Sequence, residues 1–159
     1  RLPPYHANIS KRLVKRPKLY FYDVGIASYL LGINDASQLR NHPLRGALFE
    51  TLVVSEIIKA NVHRGRRAPV SFYRDAKGNE VDLILSSGTS DVPIEIKSTR
   101  TYAKELTKGI DRFRTVVPER AENAPAYVIY DGVESFSVSN TTILARGELD
   151  RVILPAQQH

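Results

Sequence analysis

The sequence predicts an α/β fold, with a central mixed β-sheet flanked by helices. Three observations carry that expectation. A long apolar helical stretch at residues 43–62 precedes three closely spaced strand patterns between residues 70 and 98. An amphipathic helical pattern at residues 101–117 then separates the third strand from a fourth at residues 126–130, the spacing of a βαβ unit. Two further short strand patterns close the chain at residues 136–138 and 142–145. Helices, a meander, a helix and more strands are accommodated most simply by one sheet with helices packed on it.

Each element has a local reason. Residues 1–18 contain Pro3, Pro4 and Pro17 and read as an extended connector. Residues 19–22 suit a short extended segment. Asp23 is a good N-cap for a helix through Leu31, with Gly32 at its C-terminal end. A polar loop follows, and Pro43 suits the first turn of the second helix. There Leu44, Leu48, Leu52, Val53, Val54, Ile57 and Ile58 cover most of the circumference, so this helix should be largely buried. Residues 64–67 form a basic, Gly-containing loop. Residues 70–74 are the first strand, the turn at 75–79 closes a hairpin onto residues 80–86, and a second turn at 88–91 leads to a third strand at 92–98. Leu106, Ile110, Phe113 and Val117 recur at helical spacing, and Pro118 is expected to end that helix.

Composition narrows the class. A chain of 159 residues with 42% apolar and 25% charged residues fits one domain with a sizeable core. No cysteine is present, which excludes disulfides, zinc–thiolate sites and thiol nucleophiles. There is no signal-peptide pattern and no run of about 18 apolar residues, so a cytoplasmic protein is the default expectation. Methionine is absent and the chain starts at Arg1, which predicts a piece of a longer protein. The net charge of +6 is unevenly spread. Arg1, Lys11, Arg12, Lys15, Arg16 and Lys18 precede the first acid, Asp23, and the remainder balances. This basic arm can bind nucleic-acid phosphates, or it can serve as a solvated linker or docking segment.

The chemistry is concentrated in residues 78–98. Asp82 sits near the middle of one apolar strand pattern, and Glu95 and Lys97 sit two apart on the next. Strand side chains alternate faces, so Glu95 and Lys97 share one side while Ile94 and Ile96 point to the other. If the strands pair as a hairpin, Asp82 lies beside Glu95. Two carboxylates and an ammonium then converge, an arrangement that is costly unless hydrated or holding a cation. Hard ions such as Mg²⁺ take such oxygen ligands. A Glu-x-Lys on a strand is, by itself, most often a solvated face or an ordinary ion pair.

A helix bearing Glu50, a strand bearing Asp82 and a strand bearing Glu95-x-Lys97, followed by helix and strand, resembles the PD-(D/E)XK nuclease superfamily, the restriction-endonuclease-like fold. That resemblance covers roughly residues 44–131. At finer grain, residues 18–25 (Lys-Leu-Tyr-Phe-Tyr-Asp-Val-Gly), 44–50 (Leu-Arg-Gly-Ala-Leu-Phe-Glu), 73–75 and 78–82 are similar to a domain of unknown function. It is found at the C-terminus of bacterial and archaeal AAA+-type ATPases. The resemblance implies a basic connector at residues 1–22, a nuclease-like domain at residues 23–159, and an ATPase module with a winged-helix segment upstream. It further implies that Asp82, Glu95 and the backbone carbonyl of Ile96 hold Mg²⁺ or Mn²⁺, that Lys97 orients or activates the attacking water and stabilises the developing phosphorane charge, and that Glu50 completes a second ion site or holds a metal-bound water. The superfamily's proline before the aspartate is Val81 here. The implied function is Mg²⁺-dependent phosphodiester hydrolysis on DNA or RNA. The alternative is a non-catalytic module on the same fold, for nucleic-acid recognition or assembly of the ATPase.

Other features carry less. Lys104, Lys108 and Arg112 form an i, i+4, i+8 stripe that could track a phosphate backbone, but Glu105 and Asp111 make it a mixed surface. His6, His42, His63 and His159 show no metal-ligand spacing. Tyr20, Phe21 and Tyr22 could stack bases but suit core packing better. No Gly-rich phosphate loop ending in Lys-Ser or Lys-Thr is present, so ATP binding is not expected in these residues.

Overall fold

A computed structural model of the chain describes residues 1–5, 16–65 and 69–152. Its centre is one six-stranded mixed sheet. The strands are β1 (Val70–Arg74), β2 (Glu80–Ser87), β3 (Ser90–Lys97), β4 (Tyr127–Tyr130), β5 (Phe136–Val138) and β6 (Thr141–Ala145), in the order β1-β2-β3-β4-β6-β5. β1, β2 and β3 form an antiparallel meander. β3, β4 and β6 run parallel, and β5 returns antiparallel on β6. The α/β expectation therefore holds, with the parallel pairing of β3 and β4 completing the βαβ unit.

The helices are α1 (Val24–Leu30), α2 (Ala36–Arg40), α3 (Arg45–His63), α4 (Lys108–Val116) and α5 (Pro118–Ala121). Asp23 caps α1 as expected, its Oδ1 accepting the Gly25 N–H at 2.7 Å. The polar loop expected before α3 contains α2, capped by Asp35. Five residues are too few for a periodic apolar signal. Pro43 lies just ahead of α3 rather than in its first turn, since Leu44 is the N-cap. The expected helix at 101–117 is split into a 3₁₀ turn, Lys104–Thr107, followed by α4. Pro118 ends α4 and opens α5, because a residue without an N–H fits the first helical turn.

Two apolar layers sandwich the sheet. On one side Phe49, Val53, Val54 and Ile57 of α3 pack on Leu83, Leu85, Val92, Ile94 and Ile96. On the other, Phe113 and Val117 pack on Tyr73, Val81 and Ile84, while Ile110 meets Val128 and Ile143. Of the residues read as a connector, Leu2 and Tyr5 belong to this core. Leu2 and Tyr5 are buried, Leu2 exchanges backbone hydrogen bonds with Lys18, and the Tyr5 N–H donates to the Phe72 carbonyl. Pro3 and Pro4 carry no periodic pattern, so only the tertiary contacts reveal this. Phe21 and Tyr22 lie at the surface, 50% and 62% exposed, and core packing is not their role.

One irregularity positions the site. Ser71 pairs with Ile84 but Tyr73 pairs with Val81, so β2 spends three residues where β1 spends two. The extra residue falls at Asp82-Leu83. A bulge there lets Val81 and Ile84 face α4 while Leu83 faces α3, and it re-aims the Asp82 side chain.

Among the described residues, no helix is long and apolar enough to cross a membrane.

Candidate functional site

The last paired residues at the open end of the β2–β3 hairpin are Leu83 and Ile94. Just beyond them the Asp82 carboxylate takes over from the ladder. Its Oδ2 accepts the Ile96 N–H at 2.9 Å and lies 3.7 Å from the Lys97 ammonium, while its Oδ1 lies 3.5 Å from the Lys18 ammonium. Asp82 is thus the pivot between two lysines. Lys97 reaches Glu95 Oε1 at 2.6 Å. Lys18 reaches Glu50 Oε1 at 3.0 Å and also pairs with Glu80. The Tyr20 hydroxyl donates to the same Glu50 oxygen at 2.5 Å.

The structure therefore brings Glu50, Asp82, Glu95 and Lys97 into one cluster. It adds Lys18, Tyr20 and Glu80, which stand in the quoted motifs but to which the sequence assigned no part in this cluster. Glu80 had a signal: it stands two residues before Asp82 on the same strand. Lys18 opens the motif at residues 18–25, but its seat among the carboxylates depends on the N-terminal segment pairing with it through Leu2. Of the basic arm, Lys11, Arg12 and Lys15 lie outside the described residues, Arg16 is exposed, and Lys18 is committed to carboxylates. Lys104 and Lys108 are exposed, and neither pairs with a carboxylate of this cluster. Of the loop arginines, Arg64 is exposed and its Nη1 donates to the Ala60 carbonyl, while Arg66 and Arg67 lie outside the described residues.

The electrostatics are strained. Four carboxylates face two lysines, with Arg74 at the rim 3.5 Å from Glu80. Asp82 and Glu95 are buried, 6% and 7% exposed. Burial drives the Asp82 carboxyl above its usual range, and the Glu50 charge adds to that against the pull of Lys97 and Lys18. Burial likewise pushes Glu95 up to about 7, with Asp82 adding and Lys97 opposing. Burial alone would lower Lys97 and Lys18, but the surrounding carboxylates hold both above the usual lysine value. Among the described residues Glu95 Oε2 is a buried oxygen without a hydrogen-bond partner. It lies against α4 at Gly109, where a Cβ would stand 3.2 Å from it and only 2.3 Å from the Glu80 carbonyl. Glycine is required at that close approach.

The donor chemistry fits a hard divalent ion: carboxylates, one with an unpartnered buried oxygen. The disposition is set around ammonium groups instead. Among the described residues no group of three His, Cys, Asp or Glu side chains is placed to hold a metal ion. Lys18 stands where positive charge is wanted between Glu50, Glu80 and Asp82.

An α/β domain with a lysine-bridged carboxylate cluster at the open end of a hairpin is the class that fold and site define. Residues 45–149 match the model of a domain of unknown function, DUF4143, and the chain belongs to that family. Residues 1–37 match a second domain of unknown function, DUF8612. Lys18 and Tyr20 thus come from one matched segment and the four carboxylates from the other. Uncharacterized proteins of Mycobacterium tuberculosis and Mycobacterium bovis are each 28% identical over 159 residues, covering 96% of this chain and 34% of the relative. The chain spans only that third of the length of these curated relatives.

Proposed function

We propose that this domain is a PD-(D/E)XK nuclease-like module of an ATPase-containing chain, acting on the phosphodiester bonds of DNA or RNA with Mg²⁺ or Mn²⁺. One observation carries the reading. Glu50, Asp82, Glu95 and Lys97, from one helix and two neighbouring strands, meet at one sheet end with their charges unbalanced. Four carboxylates against Lys18, Lys97 and Arg74 leave one negative charge over, with two of the four carboxylates buried, an arrangement that suits a site for an added cation. Asp82, Glu95, Glu50 and the carbonyl oxygen of Ile96 are the groups that would hold the ion. When bound, a divalent ion supplies charge neutralisation at the phosphate and a nucleophile near neutral pH. Lys97 is 38% exposed, so its ammonium can donate to water or to a phosphate oxygen at the mouth of the cluster. Tyr20 holds the Glu50 carboxylate in place through its hydroxyl.

A second reading has its own observation. Lys18 already fills the cationic position between Glu50, Glu80 and Asp82. A domain that keeps it there is a non-catalytic recognition or assembly module.

Mn²⁺ titration by calorimetry, paired with cleavage assays on plasmid and single-stranded DNA, separates the two. The nuclease reading expects weak Mn²⁺ binding that Asp82→Asn abolishes and Lys18→Ala strengthens several-fold, with cleavage that follows the metal. Absence of Mn²⁺ binding in both the native chain and Lys18→Ala overturns it and leaves the assembly reading.

A further inference from the structure

A second constellation lies on the same sheet edge but uses none of these residues. The carboxyl ends of the parallel strands β3, β4 and β6 lead into Arg100, Asp131 and Arg146, and Arg45 opens α3 beside them. In open α/β sheets this edge is where ligands bind. The Asp131 N–H donates to the Thr99 carbonyl, which pins the end of β4 to the segment after β3. Its carboxylate, largely buried, then gathers the arginines. Arg45 Nη2 meets Oδ2 at 2.8 Å, Arg146 Nε meets Oδ1 at 2.9 Å, and Arg100 Nε lies 3.7 Å from Oδ2.

One carboxylate cannot neutralise three guanidinium groups. A guanidinium carries five N–H donors. Arg100 and Arg146 meet Asp131 through Nε, so their Nη ends remain available. Both side chains are well exposed, at 77% and 58%. The arginines border a cavity of about 540 Å³ whose lining includes Arg40, and Asp131 is the only acid in it. The rest of its wall is mainly apolar, with Leu39, Leu48 and Phe49 among the residues. That volume is in the ordinary range for a small-molecule site. At the head of α3, the Leu44 N-cap makes no side-chain capping bond, which adds partial positive charge on the same side.

We propose that this cavity binds a phosphate monoester carrying an apolar or planar body, that is, a nucleotide unit. The charge decides for phosphate over carboxylate. Asp131 already supplies one carboxylate, and the lining still holds an excess of three positive charges. A phosphate monoester brings roughly −1.5 to −2 and three acceptor oxygens, which suits converging arginine forks. Asp131 is a positioning residue that presents the forks, and the apolar wall takes the body. The inference needs neither metal nor catalysis at Asp82, so it stands or falls separately from the nuclease reading.

The test compares oligonucleotides with and without a 5′-phosphate by fluorescence anisotropy on the full chain, with a nucleoside monophosphate as competitor. The 5′-phosphorylated strand is expected to bind at least tenfold more tightly than its hydroxyl counterpart. The double variant Arg100→Gln/Arg146→Gln should erase that preference. Both side chains are exposed, so an unchanged melting temperature is expected to confirm the fold. Competition by the monophosphate identifies a free nucleotide as the ligand, and absence of competition identifies a strand end. Equal affinity with and without the phosphate, or a preference that survives in the double variant, overturns the proposal. Loss of Mn²⁺ binding in Asp82→Asn with the preference intact would leave it standing.

Discussion

The β2–β3 hairpin carries buried acids at both of its ends, and the two ends are built to opposite rules. At the turn end, Asp91 is completely buried and fully partnered. Arg120 grips it bidentately, Nε to Oδ2 at 2.6 Å and Nη2 to Oδ1 at 3.0 Å, and the Tyr5 hydroxyl donates to Oδ2 as well. Burial alone would raise its carboxyl, but the hydrogen bonds from Arg120 and Tyr5 outweigh burial and hold it below the usual range. At the open end, Asp82 and Glu95 are almost as buried, yet crowded by Glu50 and Glu80 and held above the usual range. The same strands can therefore host a carboxylate that stabilises the fold and two that strain it. What separates them is the count of donors per acid rather than depth of burial.

That contrast can be broken most forcefully at Asp91. Asp91→Ala should cost about 3 kcal/mol, because it strands part of Arg120 and frees Tyr5 from the core. Urea denaturation measures it, and a cost under 1 kcal/mol would mean that the turn end is no anchor. Next in size is Gly109→Ala, whose Cβ would run into the Glu80 carbonyl. About 2 kcal/mol should be lost as α4 lifts from β2, and Mn²⁺ binding should weaken if the strained end is the site.

The two ends respond to pH with opposite signs. Asp91 is depressed, so its contribution is present above the unfolded value of about 3.9 and is lost as pH falls through its lower folded value. Glu95 is raised, so the folded state binds the extra proton. In chelator, stability should therefore decline as pH rises from about 4.5 to about 7. Glu95→Gln should reduce that decline to the share left by the raised Asp82 and leave the Asp91 acid limb unchanged, as thermal melts across pH would show. The smallest effect is expected at Glu80→Gln. Relieving one like charge at a partly exposed position should raise stability by a few tenths of a kcal/mol. A loss there would show that Lys18 depends on Glu80 more than the crowding costs.

What was legible in the sequence follows the range of the interactions. Strand alternation separated Glu95 and Lys97 from Ile94 and Ile96, and the turn residues between the strands implied the hairpin that sets Asp82 near Glu95. These are local rules, and the structure obeys them. The bulge at Asp82-Leu83 was not legible, since it is a mismatch between two strands rather than a property of one. Nor were the burial of Leu2 and Tyr5 or the seat of Lys18, which depend on chain segments far apart in sequence. The arginine cavity escaped for the same reason. Arg45, Arg100 and Arg146 share no motif and meet only because three parallel strands end together. Asp35 illustrates the other limit: a cap without a periodic helix behind it looks like any loop acid.

The seat of Lys18 also sets a competition at equilibrium. A cation carried on the chain never diffuses away. Next to its carboxylates, it acts as a rival at an effective concentration on the order of millimolar. Any ion in solution must exceed that tethered rival before it occupies the cluster. Backbone hydrogen bonds between Lys18 and Leu2 hold the tether short, so loosening the first residues of the chain is equivalent, at this site, to diluting the rival.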